Sequence, residues 1–347
     1  MPAAPRPIAI IGCGGIVRDA HLPAYRLAGF PVVGVFDLDS SRAALVARAT
    51  GGARVFDSVA AMADLGDRVV YDVAVPASAV ESVIEQLPDR SAVLIQKPLG
   101  EDLAQARRIA AACRRRGLVA AVNFQLRWAP YVLAARHLIE SGAIGEIDDM
   151  EVRVTVVTPW HLWTFLESSP RVEILYHSVH YIDLIRSFLG DPRRVRAKTV
   201  RHPSVPKLHS TRSSLILDYG ELLRVNIQTN HHHRFGGRHQ ESYIKWEGSR
   251  GSIKATLGLL KNYPAGKPDA LQVCRLDDGG VPGGWMDVPF QGSWFPHAFI
   301  GSMASLQRYV EGSSPSLPTS VDDAVRTMAV VEACYADSAS GGTEVER

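Results

Sequence analysis

Lys97 ends an apolar run, Ala92 to Ile95, in the segment Leu94-Ile95-Gln96-Lys97-Pro98. Lysine rarely enters a core without a task. Far upstream, Gly12-Cys13-Gly14-Gly15 follows one apolar strand and opens a helix. In that setting a glycine turn can hold a pyrophosphate. Gly12 permits the tight turn, Gly14 lets backbone approach the ligand, and the helix N-terminus supplies N–H donors and positive potential. The third glycine of the G-x-G-x-x-G pattern is replaced by Val17. Asp37 ends the second strand, a little beyond the ~20 residues expected for the acid that bonds an adenosine ribose. Its carboxylate would accept ribose hydroxyls and repel a 2′-phosphate, which favours NAD over NADP. Arg42 nearby works against that inference, because a cation can receive a phosphate. Ligands of an open parallel sheet bind beyond the carboxyl ends of its strands. Lys97 would stand there, as a proton-transfer group beside a nicotinamide.

A second set of residues suits hydroxylated ligands. Trp160-His161-x-Trp163 follows a predicted strand. Aromatic faces match the C–H surfaces of a sugar, while indole N–H and imidazole groups bond hydroxyls. Aromatics filling a loop against the core fit the pattern equally well. His177 and His180, three residues apart, would share one helical face. In His231-His232-His233, residues 231 and 233 share a strand face and 232 opposes them. The triplet lacks the spacing of a zinc motif, so no metal site is expected; a face turned to substrate or to a subunit partner is. Arg127, Arg234 and Arg238 would suit an acidic sugar, in a chain that uses Arg throughout.

These residues need elements to hold them. The first third alternates apolar strands (Ile8 to Ile11, Val32 to Phe36, Val69 to Val75 ended by Pro76, Ala92 to Ile95, Leu118 to Val122) with helices. That order predicts right-handed βαβ units and a doubly wound parallel sheet. Ser40 or Ser41 is the expected cap of the second helix. After a helix from Pro130 to Ser141 the pattern changes to longer strands: 146–158, 194–201, 213–219, 223–230, 240–246 and 252–255. These predict an open mixed or antiparallel sheet in an α+β domain. The expected organisation is a Rossmann domain over 1–122 and a substrate-binding and oligomerisation domain over 123–347. The sequence leaves open whether the last helix packs back on the first domain.

Composition narrows the class. The chain has 347 residues, 46% hydrophobic and 21% charged, with a formal net charge of +2. That length accommodates two cores, and the balance implies no nucleic-acid or membrane partner. No run reaches the ~18 apolar residues of a membrane span. Cys13, Cys113, Cys274 and Cys334 lack CxxC spacing, which fits reduced thiols in a cytoplasm.

Taken in order, these motifs resemble the Gfo/Idh/MocA family of NAD(P)-dependent oxidoreductases, which includes glucose–fructose oxidoreductase and inositol dehydrogenases. Gly12 to Ile16 with His21-Leu22-Pro23-Ala24 is similar to the family's first turn and helix, and Gln96-Lys97-Pro98 to its Glu-Lys-Pro motif. Asn123-Phe124-Gln125-Leu126-Arg127-Trp128 is similar to the entry into its second domain. His180-x-x-Asp183 matches the end of its D-x-G-x-H-x-x-D motif, with Tyr176 and Ser178 in place of the Asp and Gly. The resemblance implies cofactor contacts from Gly12, Gly14, Gly15, Ile16, Asp37, Arg42, Pro76, Gln96 and Lys97. The substrate contacts expected beside these are Gln125, Arg127 and Tyr176 from the motifs, and Trp160, His161, Trp163 and His177 from the residue types noted above. Lys97 and His180 become the catalytic pair, either of them the formal base. The implied activity is hydride transfer between a carbinol carbon of a sugar or polyol and NAD, in a homodimer or homotetramer joined through the C-terminal sheet. Two alternatives accompany it: an enzyme that recycles a tightly held NAD, as a glycoside hydrolase or oxidoreductase–isomerase, and a non-catalytic regulator.

Overall fold

A computed structural model describes residues Met1–Glu346. The first compact unit comprises Met1–Trp128 and Phe295–Met328, and the second Ala129–Trp294 and Ala329 onward.

In the first unit, strands β1 (Ile8–Ile11), β2 (Val32–Phe36), β3 (Arg54–Val55), β4 (Val70–Val73), β5 (Ala92–Ile95) and β6 (Val119–Val122) form one sheet. Among the described residues its order is β3-β2-β1-β4-β5-β6, with every pairing parallel. Every residue of β1, β4 and β5 is buried, as a sheet covered on both faces requires. This is why β1 and β5 read as continuous apolar runs, while β4 carries the one buried acid among them, Asp72.

Helices α1 (Leu22–Ala28), α2 (Ser40–Ala49), α3 (Val80–Ile84) and α4 (Leu103–Arg115) alternate with the strands. A single π-helical turn, Val17–His21, leads into α1. The cap of α2 is Asp39 rather than either serine. Its side chain accepts from the Ser41 and Arg42 amides, because Asp39 holds the extended backbone that precedes a helix.

The second unit holds α5 (Pro130–Glu140), β7 (Ile147–Thr155), α6 (Val179–Leu189), β8 (Arg194–Val200), β9 (Arg212–Asp218), β10 (Arg224–Asn230), β11 (Glu241–Gly248), β12 (Gly251–Thr256), β13 (Ala270–Leu276) and β14 (Pro282–Asp287). Its sheet runs β14-β13-β12-β11-β7-β10-β9-β8. The interior β7–β10 pair is parallel and the other pairings are antiparallel. Met150, Val152 and Val154 of β7 and Ile244 and Trp246 of β11 share the buried face. Phe188 of α6 packs on Trp246 at 5.4 Å, and Arg136 of α5 lies 3.9 Å over Phe188.

The other face is polar. Arg153 donates to Glu241 at 2.6 Å and to Gln228 at 2.7 Å, and Lys254 lies 4.3 Å over the Tyr243 ring. Strands β13 and β14 carried no clear sequence signal. β14 is an exposed edge with two adjacent glycines and no in–out alternation.

Two further helices close the chain, α7 (His297–Val310) and α8 (Val321–Ser340). α7 belongs to the first unit and packs on the turn Gln125–Trp128. A Cβ on Gly301 would lie 2.6 Å from the Trp128 side chain, so glycine sets that close approach.

Candidate active site

The glycine turn sits where the order of the first sheet reverses, between β1 and β4. Gly12 has φ +93°, and a Cβ there would lie 2.5 Å from the Ala74 carbonyl oxygen. Its N–H donates to the Phe36 carbonyl at 2.8 Å. A Cβ on Gly14 would meet nothing within 4 Å, so the backbone is open to a ligand there. Ile16 is half-buried in the first helical turn, and Pro76 is exposed at the exit of β4.

Asp37 is tied to the turn. One carboxylate oxygen accepts from Cys13 N at 2.6 Å and the other from Asp39 N at 2.8 Å. Arg42 is paired with Asp39 at 3.2 Å.

Lys97 lies at the carboxyl edge of the same sheet. Gln96 N donates to Val73 O at 2.8 Å and Asn123 N to Ile95 O at 2.7 Å, and the ladder ends at that level. Burial pushes the Lys97 ammonium down to about 8. The carboxamide oxygens of Gln96 and Gln125 are buried with no hydrogen-bond partner among the described residues. An orphaned buried acceptor is costly unless a ligand or water meets it. Arg127 is differently engaged. It is buried and donates to Pro318 O at 3.0 Å and Asp323 at 2.6 Å. Its charge is matched inside the first unit, which the resemblance to a substrate contact did not anticipate.

Beneath the turn runs a buried polar chain whose pairing sequence reading missed. His21 Nδ1 lies 2.7 Å from Asp72 Oδ2, with both side chains fully buried. The Tyr25 hydroxyl donates to the same oxygen at 2.7 Å, and Asn123 Nδ2 lies 3.5 Å from His21 Nε2. Burial and the Asp72 charge push the Tyr25 phenol well above its ordinary value. The available signals were a polar Asp inside an otherwise apolar strand and a His at the end of the turn helix.

In the second unit the residues expected to contact substrate divide into groups. His180 is buried and meets Trp294 edge-on at 5.6 Å. His177 meets Trp160 at 5.2 Å and His231 at 4.4 Å. Of the two histidines expected on one helical face, His177 lies in a π-helical turn, Ile174–Ser178, and His180 in α6 directly after it. Trp163 contacts Tyr263 at 5.6 Å, and Tyr176 contacts Phe165 at 5.7 Å. Trp160, Trp163 and Tyr176 also pack on Leu166, Val172 and Leu208, so these rings are partly local core. His161 is exposed on the turn Trp160–Leu162.

Sequence reading also missed what holds this group. Glu173 is fully buried and accepts from the Ser178 hydroxyl at 2.8 Å. Its carboxylate lies 3.3 Å from His231 Nε2, and His231 Nδ1 lies 2.9 Å from the Thr158 hydroxyl. His231 thus ties the start of the tryptophan loop to the start of the histidine helix. Burial alone would raise the Glu173 carboxyl. The Ser178 hydrogen bond and the nearby His231 and Ser213 side chains outweigh it and hold the carboxyl below its ordinary range.

A parallel six-stranded sheet with a glycine turn after its first strand and an acid after its second, followed by a large mixed sheet, defines a dinucleotide-binding oxidoreductase architecture. The family model described as an oxidoreductase family with an NAD-binding Rossmann fold matches residues 6–124, and that of the GFO/IDH/MocA C-terminal domain matches residues 132–254. The chain belongs to the GFO/IDH/MocA oxidoreductase family. It is similar to the D-apiose dehydrogenase of Paraburkholderia graminis, with 27% identity over 96% of this chain and 88% of that protein. It is also similar to the inositol 2-dehydrogenase of Rubrobacter xylanophilus, with 28% identity over 53% of this chain and 52% of that one. Its fold matches an Agrobacterium radiobacter oxidoreductase solved with NAD+, L-tartaric acid and magnesium, at TM-score 0.79, 22% identity and 98% coverage of both chains. Among the described residues no helix is long and apolar enough to cross a membrane.

Proposed function

We propose that this chain is an NAD-dependent dehydrogenase that oxidises one carbinol carbon of a sugar or polyol. The observation that carries the reading is Lys97 at the carboxyl edge of the parallel sheet, its ammonium brought down to about 8 by burial. An amine so placed can release or accept a proton near neutral pH. The named activities of the relatives, acting on apiose and inositol, support the substrate class.

The residues fit a nicotinamide dinucleotide. Gly14 leaves its approach open, Asp37 presents a fixed carboxylate, and Gln96 keeps a buried acceptor in need of a donor. When bound, the nicotinamide supplies the hydride acceptor. Lys97 takes the hydroxyl proton as the carbinol C–H electron pair leaves and the carbonyl forms. His180 is the second proton-handling group. Trp160, His177 and neighbouring rings offer apolar faces and hydrogen bonds to the sugar. Asp37 supports NAD over NADP, since a 2′-phosphate would bring two negative groups together.

The four buried thiols support a cytoplasmic enzyme, with Cys13 pushed up to about 12 chiefly by burial and so inert as a nucleophile. A homodimer or homotetramer joined through the polar face of the second sheet completes the reading.

The test is a panel of neutral sugars and cyclitols, assayed by absorbance with NAD and NADP in parallel. At least one member should yield NADH, with kcat/KM at least about tenfold higher for NAD, a difference of ~1.4 kcal/mol. Absence of turnover across the panel, by absorbance and by product analysis, sinks the proposal.

A further inference from the structure

Charge is distributed unevenly over the second unit. Residues 192–217 carry seven Lys or Arg and residues 222–240 carry three, with no Asp or Glu in either segment, against a net +2 for the chain. These segments form β8, β9, β10 and their connections. Carboxylates from elsewhere in the unit meet some of the cations: Asp337 reaches Arg196 at 3.1 Å, Glu167 reaches Lys207 at 3.1 Å, and Asp149 bonds Arg224. Arg201, Arg212 and Arg234 have no such carboxylate among the described residues.

Two of these arginines converge with two histidines. Arg212 is in register with Val200 on one side and Asn230 on the other. Strand alternation puts Arg212, Asn230 and His232 on the polar face, opposite His231. The His202 and His232 rings lie 4.2 Å apart. Arg234 donates to the Ser204 hydroxyl at 3.1 Å, and Ser204 N donates to His202 Nδ1 at 3.1 Å. That bond leaves the His202 proton on Nε2, as a donor. Arg212 is anchored by a bond to Arg201 O at 2.5 Å. Its Nε and the His232 Nε2 are shielded from solvent with no partner among the described residues. Burial, and then the neighbouring Arg212 and Arg234, hold the His202 imidazole below its ordinary value; burial, His202 and the same arginines do so for His232. The surroundings therefore lack negative charge. They repel a metal cation and present the forked and single N–H donors that recognise oxyanions.

We propose that Arg212, Arg234, His202 and His232 form an oxyanion-binding site, for a phosphate or carboxylate group, on the polar face at the ends of β9 and β10. The site lies across the sheet from the Glu173–His231–His177 group and does not depend on the assigned reaction. Its ligand is a free anion or the acidic group of a small molecule.

The test uses the full-length protein and inorganic phosphate, at constant ionic strength with chloride as the control, because salt alone screens exposed charge. Calorimetric titration should show saturable binding, and the thermal midpoint should rise with phosphate as expected for a ligand of the native state. R212Q/R234Q should weaken binding at least about tenfold, equivalent to ~1.4 kcal/mol. R212K/R234K, which keeps the charge, should retain part of it and controls for misfolding. Acetate titrated in the same way reports the carboxylate arm. Glucose 6-phosphate binding more tightly than phosphate, with the gain lost in R212Q/R234Q, identifies a phosphorylated small molecule, and equal affinity a free ion; a gain kept in R212Q/R234Q belongs to the sugar site and counts against this one. No saturable effect beyond chloride overturns the proposal, as does wild-type affinity in R212Q/R234Q. Should phosphate fail to bind while R212Q/R234Q changes the assembly mass by light scattering, the cations meet a second copy's carboxylate and the proposal is wrong.

Discussion

At the scale of single residues, Lys97 joins two consequences of one cause. Burial disfavours its charge, which brings a proton acceptor into the working range and costs stability. The sign follows from proton counting. Between about 8 and the ordinary 10.5, the native chain binds fewer protons than the unfolded one. The penalty is therefore full below about pH 8 and fades as pH rises toward 10.5. Lys97→Met, which keeps the stem and removes the charge, should raise the urea midpoint at pH 7. It should also lower kcat by about 10²–10⁴-fold while NADH binding, followed by fluorescence, survives. A variant that turned over normally would remove Lys97 from the mechanism. In the wild type, the oxidation rate should rise with pH through an apparent value near 8, a limb missing from the residual activity of Lys97→Met.

At the scale of elements, each unit holds one connection whose loss can be measured. The β1 turn tolerates no side chain at Gly12, where φ is +93° and a Cβ would strike Ala74 O at 2.5 Å. Gly12→Ala should abolish NADH binding, and strain of this kind costs about 1–3 kcal/mol, readable by chemical denaturation. The second connection is the buried Glu173–His231 pair between the tryptophan loop and the histidine helix. Glu173→Ala leaves the buried imidazole without its neighbour, and an unsatisfied buried polar group costs about 1–3 kcal/mol. Glu173→Gln keeps a hydrogen bond and should cost less. The carboxyl is held below its ordinary 4.5, so its contribution is complete above that pH and disappears as pH falls through the lower native value. The stability gap between wild type and Glu173→Gln should narrow on acidification. A gap independent of pH would mean that the carboxylate charge plays no part.

At the scale of the molecule, the second sheet leaves one face lined by Arg153, Lys245, Lys254 and Glu241, with Arg153 bonded across strands to Glu241, Lys245 paired with Glu247 along its own strand and Lys254 over the Tyr243 ring. If copies of the chain join through this face, contact is polar and charge-dependent. Light scattering should show twice or four times the chain mass at low salt and dissociation toward the monomer at high salt, since exposed ion pairs are screened. A monomer at low salt would remove the oligomer from the functional reading.

Much of this architecture is local and could be read in the chain. The glycine turn, the apolar strands, the lysine at a strand end and the change to alternating strands each occupy a few consecutive residues. Steric permission at Gly12 and the two-residue period of a half-buried strand act at that range. Other features depend on partners that carry no local mark. His21 meets Asp72 across 51 residues, and Arg127 finds Asp323 across 196. The return of Phe295–Met328 to the first unit and the exposed β14 have no periodic signature. By itself the sequence determined the fold class, the glycine turn after β1 and the lysine that follows β5. Only the tertiary structure decided which charges are matched, because a long-range pair is set by where strands and helices return in space and not by spacing along the chain.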